Sequence, residues 1–179
     1  RKRMPSAGER RLFVGTALGV LVLDALTKLV AEAYLLRTTG VSVAGEWFQL
    51  RLVYNPGAAF GLHLGPYSRW IFLALALGAI VLLARMSATA AAGDRFRQLA
   101  LGLVAGGAAG NLVDRIRSHR GVVDFLDFGI GNLRWPTFNV ADSLIVVGVA
   151  MLVLHPGAGK AAQKSGAAAE GDRRASTGG

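Results

Sequence analysis

The chain has 179 residues, of which 53% are hydrophobic and only 17% charged, with a mean hydropathy of +0.43. A water-soluble domain of this size has too little interior to hide that much apolar surface, so composition points to an integral membrane protein. The absence of cysteine excludes a disulfide framework, a thiol nucleophile and a cysteine-based metal site. The net charge of +9, gathered at the termini and in short loops, suits anionic lipid at least as well as nucleic acid.

Residues 1–11 hold five basic side chains and one glutamate, and 12–33 form a mostly apolar run of 22 residues. Together they look like the start of a signal peptide. The run is long for that, contains Asp24 and Lys28 and lacks a clear cleavage site, so it reads as a retained first transmembrane helix. Residues 38–68 differ in kind. VSVAGEWFQLRLVYN nearly alternates, with β-branched and aromatic residues, and predicts short strands. Asn55-Pro56-Gly57 predicts a turn, and Trp47, Phe48, Tyr54, Tyr67 and Trp70 suit a membrane interface. A second helix is expected over 70–86, followed by a short polar loop with Arg95 and Arg97. A third is expected over 96–113, where Gly102, Gly106 and Gly110 recur every four residues. They share one face, onto which another helix can approach closely. Residues 118–136 read as a second loop. A fourth helix over 138–154, at 17 residues, lies near the lower limit for a crossing. Residues 157–179, rich in Gly, Ala, Lys, Arg and Ser, read as a disordered tail.

The fold class expected is therefore a mostly α membrane protein, with four transmembrane helices and a small β-rich cradle over 38–68 outside the membrane. An even number of spans puts both termini on one side. The basic termini with Arg85, Arg95 and Arg97 mark that side as cytoplasmic. Arg115, Arg117, Arg120 and Arg134 then fall on the outer side and count against a clean bias.

The chemistry-bearing residues lie where apolar runs meet polar segments. Asp124 follows the third helix and Asp142 opens the fourth. Ionisable groups at such positions are functional candidates by default. Two carboxylates brought together cannot both ionise cheaply. Such a pair shares a proton, deprotonates a water and protonates a leaving amine. The residues alone leave a second reading equally open, with Asp142 as a helix cap and Asp124 as a solvated loop residue. Asn111 and Arg115 share a helix face, and Asn139 precedes Asp142 by three; each pair suits either a site or plain capping. Asp114 reads as a structural ion-pair or capping residue. Asp24 and Lys28, four apart within the first helix, read as a structural pair, with a proton relay as the sharper alternative. Asn55–Gly61, NPGAAFG, has small side chains that would admit a substrate backbone, or forms an ordinary loop. The histidines His63, His119 and His155 show no metal-ligand spacing.

Asp24 with Lys28, then NPGAAFG, GNLVDR, VVDF and FNVADS, resemble in that order the motifs of lipoprotein signal peptidase (signal peptidase II). The resemblance covers roughly residues 12–154. It implies a four-helix bacterial aspartyl protease of the cytoplasmic (inner) membrane, a hydrolase without cofactor or metal. Such an enzyme removes signal peptides from prolipoproteins on the N-terminal side of a diacylglyceryl-modified cysteine and is inhibited by globomycin. Carried over by position, Asp124 and Asp142 are the catalytic dyad. Asn55, Gly57, Gly107, Asn111, Arg115 and Asn139 bind substrate or support the site, and Asp24 and Lys28 match a pair on the first helix. The partners implied are the lipid-modified substrate and membrane lipids, with no nucleic acid and a monomeric state. Against this stand a small proton-coupled transporter, which would favour charges near the midplane and an internal repeat, and a non-enzymatic anchoring protein, which needs no aspartate pair.

Overall fold

The computed structural model describes residues 4–35, 39–57 and 65–155. The expected tail over 157–179 and positions 58–61 of the NPGAAFG segment lie outside them. The architecture is a helical bundle with a small antiparallel sheet at one end. In chain order the elements are α1 (Ala7–Tyr34), β1 (Val41–Ala44), β2 (Phe48–Asn55), α2 (Ser68–Ala88), α3 (Arg95–Arg117), β3 (Val122–Ile130), β4 (Leu133–Arg134) and α4 (Val140–Val153).

α1 starts five residues ahead of its apolar run because Ser6 and Glu9 form a capping box. The Ser6 hydroxyl accepts from the Glu9 amide at 3.3 Å, and the Glu9 carboxylate accepts from the Ser6 amide at 2.6 Å. The other Glu9 oxygen accepts from the Gly93 amide, which ties the start of α1 to the turn between α2 and α3.

α3 is the centre of the bundle and packs against each of the other three helices. Its glycines set the spacing. A Cβ on Gly102 would lie 2.8 Å from the Phe13 carbonyl oxygen, and one on Gly106 would lie 2.6 Å from that of Ala17. A Cβ on Gly110 would overlap the Asp24 carboxylate. The partner of the small-residue face is thus α1. The opposite side of α3 meets α4 with the same economy: Gly107 faces the Ala141 carbonyl and Ile145, and Gly148 faces Ala100 and Val104. Leu83, Leu101 and Ala105 form the buried apolar cluster.

Most of the remaining apolar side chains point outward, including Leu18, Val22, Leu26 and Val30 of α1 and Leu75, Leu77 and Leu82 of α2. Such a belt suits lipid, not water. Among the described residues three helices are long and apolar enough to cross a membrane: Ala7–Tyr34, Gly65–Ala88 (which includes a 3₁₀ turn) and Arg95–Arg117. α4 is apolar but has 14 residues, fewer than the ~20 of a typical crossing.

The sheet has the order β1-β2-β3-β4, with every adjacent pair antiparallel. β1 and β2 come from the segment expected to hold strands. β3 does not. The span read as a loop over 118–136 supplies a nine-residue strand, whose partner β2 lies about seventy residues earlier. Its register sets Val53 opposite Asp124 and Asn55 opposite Val122. β3 then turns through Gly131, at φ 55°, into β4. Phe48, Phe128 and Phe138 stack in series, with ring centroids 4.4 and 5.7 Å apart.

Candidate active site

Four elements deliver polar side chains to one end of the bundle. β3 carries Asp124, the first turn of α4 carries Asp142, the last turns of α3 carry Asn111 and Arg115, and the end of β2 carries Asn55. All five line a single cavity of about 480 Å³. Its other walls include Trp135, Phe138, Ile145 and Val146, so polar groups converge on one side of a mostly apolar recess.

Asp124 is no solvated loop residue. It is 2% exposed, and both of its oxygens are engaged. Asn139 donates to Oδ1 at 2.8 Å and Asn55 to Oδ2 at 3.1 Å. Burial, and then the negative charge of Asp142, push its carboxyl up to about 7, against the pull of those two hydrogen bonds and of the Lys28 charge.

Asp142 does not cap α4 from the N-cap position. Asn139 does, its Oδ1 accepting from the Asp142 amide at 2.9 Å. Asp142 is the reciprocal member of the capping box, with Oδ2 accepting from the Asn139 amide at 3.3 Å. The box consumes one oxygen and fixes the rotamer. The other, Oδ1, accepts from Asn111 Nδ2 at 2.8 Å. Capping and a place in the cavity are therefore the same geometry.

The asparagines align the two carboxylates. Asn139 Nδ2 also reaches Asn111 Oδ1 at 3.2 Å, which links the Asp124 and Asp142 hydrogen-bond sets. Asn55 is held by its own turn, Oδ1 accepting from the Gly57 amide at 3.0 Å. The Gly57 carbonyl in turn accepts from Arg115 at 3.0 Å. Arg115 also donates to the Asn111 carbonyl at 3.1 Å and lies over the Phe72 ring. Gly57 thus acts through its backbone, and Gly107 acts by admitting α4 against α3; neither lines the cavity.

Asp24 and Lys28 pair at 2.6 Å, both 1% exposed, behind the cavity. Lys28 reaches the site through Asn111 Oδ1, at 3.0 Å. Asp114, read from the sequence as structural, is the residue whose reach was missed. It pairs with Lys28 at 2.8 Å and Arg117 at 3.0 Å and accepts from the Val123 amide at 3.2 Å. The spacing to Arg117 was visible in the sequence, but the contact with the strand ahead of Asp124 was not. Among the described residues no group of three or more His, Asp or Glu side chains is arranged to hold a metal ion.

Residues 16–156 match the family model described as signal peptidase (SPase) II. A lipoprotein signal peptidase of Anaeromyxobacter sp. (strain Fw109-5) is 52% identical over 139 residues, covering 74% of this chain and 65% of that protein. The chain thus spans just under two thirds of the length of that relative. A lipoprotein signal peptidase of Paraburkholderia phymatum is 39% identical over 151 residues, covering 83% of this chain and 89% of its own length. A bacterial membrane enzyme solved by the in meso method at 2.3 Å superposes with a TM-score of 0.73 at 27% identity, covering 86% of this chain and 90% of that one. A second, at 1.9 Å, gives 0.71 at the same identity, covering 86% and 96%.

Proposed function

This chain belongs to the signal peptidase II family, a multi-pass membrane peptidase family, and from that premise we propose that it removes signal peptides from bacterial prolipoproteins, with Asp124 and Asp142 as its catalytic pair. One observation carries the assignment of the pair: two carboxylates from separate elements open into one cavity, one of them pushed up to about 7 by burial and by the other's charge. Two such groups divide one proton between them near neutral pH. The ionised member takes a proton from a water, whose oxygen attacks the scissile carbonyl. The protonated member then delivers its proton to the departing nitrogen as the C–N bond breaks. A water is consumed, an acid and an amine are released, and the pair is left with one proton as before.

The walls are consistent with the family's substrate. A polar edge for a peptide backbone beside Phe138, Ile145 and Val146 suits a chain whose cleavage point carries acyl groups. Cleavage on the N-terminal side of a diacylglyceryl cysteine leaves the lipid in the bilayer while the peptide bond reaches the carboxylates. Globomycin-type peptides would compete for the same recess, and the unit acts as a monomer because one chain supplies every group named.

We take α4 as a fourth span, short because its first turn belongs to the site, with both termini cytoplasmic in the inner membrane and the cavity facing outward. Three of the four arginines that counted against this orientation are engaged within the protein. Arg117 pairs with Asp114 and Glu32, Arg134 with Asp127, and Arg115 is buried. These three are ion-paired or hydrogen-bonded rather than free charges that would hold a loop inside, while Arg120 stays about half exposed and reaches Glu32 only at 4.0 Å.

The test is cleavage of a synthetic lipidated precursor by the purified protein, read by mass spectrometry. The expected products are the free signal peptide and a fragment beginning at the modified cysteine. Equal turnover of the precursor lacking the diacylglyceryl group, or cleavage elsewhere, would contradict the reading.

A further inference from the structure

The Lys28 ammonium does more than neutralise Asp24. It is buried in the bundle and has three donors to satisfy. Three acceptors surround it: Asp24 Oδ2 at 2.6 Å, Asp114 Oδ2 at 2.8 Å and Asn111 Oδ1 at 3.0 Å. Each acceptor leads to an element that carries one of the two aspartates. The Asp24 carboxylate accepts from the amide of Ala141 at 3.0 Å, the residue immediately ahead of Asp142. The Asp114 carboxylate accepts from the Val123 amide at 3.2 Å, immediately ahead of Asp124. Asn111 donates to the Asp142 carboxylate itself at 2.8 Å. An ion pair serving only to join α1 to the bundle would need none of this symmetry.

We propose that Lys28 is a positioning residue for the aspartate pair, a buried ammonium that ties α1 to the peptide groups preceding Asp124 and Asp142 and, through Asn111, to the Asp142 carboxylate. The inference rests on the assignment of Asp124 and Asp142 as the catalytic pair. Its physical content is preorganisation. β3 and α4 both contribute to the cavity, and their separation is set from behind by one cation with two anionic arms. Loosening that hub moves one carboxylate relative to the other. Small misplacements of catalytic groups cost rate more than they cost substrate binding.

Lys28→Met alone strands the buried Asp24 carboxylate beside a methyl group, while Asp114 keeps Arg117, and invites misfolding. The informative variant is Lys28→Met with Asp24→Asn. Asparagine keeps an oxygen for the Ala141 amide and removes the uncompensated anion, so α1 stays docked while the arms to Asn111 and Asp114 are lost. The experiment measures thermal unfolding in detergent, kcat and KM on the lipidated precursor for this variant, with Asp124→Asn run beside it. Expected is a melting temperature near that of the wild type, KM little changed and kcat lower by ~10- to 100-fold. A folded double variant with wild-type kcat, beside an inactive Asp124→Asn, overturns the role given to Lys28 and leaves the pair intact. An active Asp124→Asn overturns the underlying assignment instead.

Discussion

Asp124 is the residue on which most of the chemistry turns, and its environment makes a prediction that needs no substrate. Its carboxyl stands at about 7 in the folded protein and near the ordinary value of about 3.9 when unfolded. Between those values the folded state holds the proton more tightly, so stability falls as pH rises from about 4 towards 7. Asp124→Asn stays neutral throughout and lacks this penalty. The melting temperature of the variant relative to wild type should therefore climb between pH 4.5 and pH 8. A difference that stayed flat over that range would mean the carboxyl titrates at or below its ordinary value, as a solvated or fully paired acid does. At this scale the sequence was informative about identity and silent about contacts. VVDF and FNVADS single out the two aspartates. Nothing in the local pattern says that Asn139 caps α4 and also donates to Asp124, or that Asp114 reaches across to Val123. Those contacts join residues from different elements, and local spacing carries no record of them.

At the scale of elements, α3 is where sequence and structure agree most closely. A four-residue glycine repeat in an apolar helix has a direct steric meaning, and its partner is α1. Gly106→Leu should separate α1 from α3, because even the first carbon of the side chain would lie 2.6 Å from the Ala17 carbonyl. A cost of at least ~1–3 kcal/mol is expected from overpacking, seen as a lower melting temperature in detergent. Gly78→Leu, with nothing near its Cβ position, is the control. It should leave the melting temperature unchanged or slightly raised, since leucine favours helix over glycine. Equal losses at both sites would refute close α1–α3 packing as the cause. The helix ends were less legible than the middles. α3 runs on to Arg117 because Lys28 holds Asp114 and because Arg69 caps the last turn by donating to the Arg115 and Ile116 carbonyls. β3 was missed altogether. Its apolar residues flank two aspartates, and its pairing partner β2 is distant in sequence, so the segment looks like a loop until the bundle brings the two together.

For the whole molecule, composition and four apolar runs were enough to expect a membrane bundle, and the ordered motifs were enough to expect the family. The sheet that joins the segments on either side of α2 and α3 was only half visible, because one of its central strands was read as loop. The proposed orientation has a simple check, since the chain contains no cysteine and a single introduced one reports alone. An impermeant thiol reagent applied to intact cells should label Asn132→Cys, in the turn between β3 and β4, and spare Ala92→Cys, in the turn between α2 and α3. The reverse pattern would put the cavity on the cytoplasmic side. The central claim is that the two aspartates act as one unit, and kinetics test it most directly. Purified wild type, Asp124→Asn, Asp142→Asn and the double variant are compared for cleavage of a lipidated prolipoprotein, with folding and substrate binding followed separately and the wild type assayed with and without a metal chelator. The account predicts that each single variant folds, binds and scarcely cleaves, and that the double variant is hardly worse than either single, because members of a catalytic unit are not additive. Substantial turnover by either folded single variant, or loss of wild-type activity to the chelator, would contradict it.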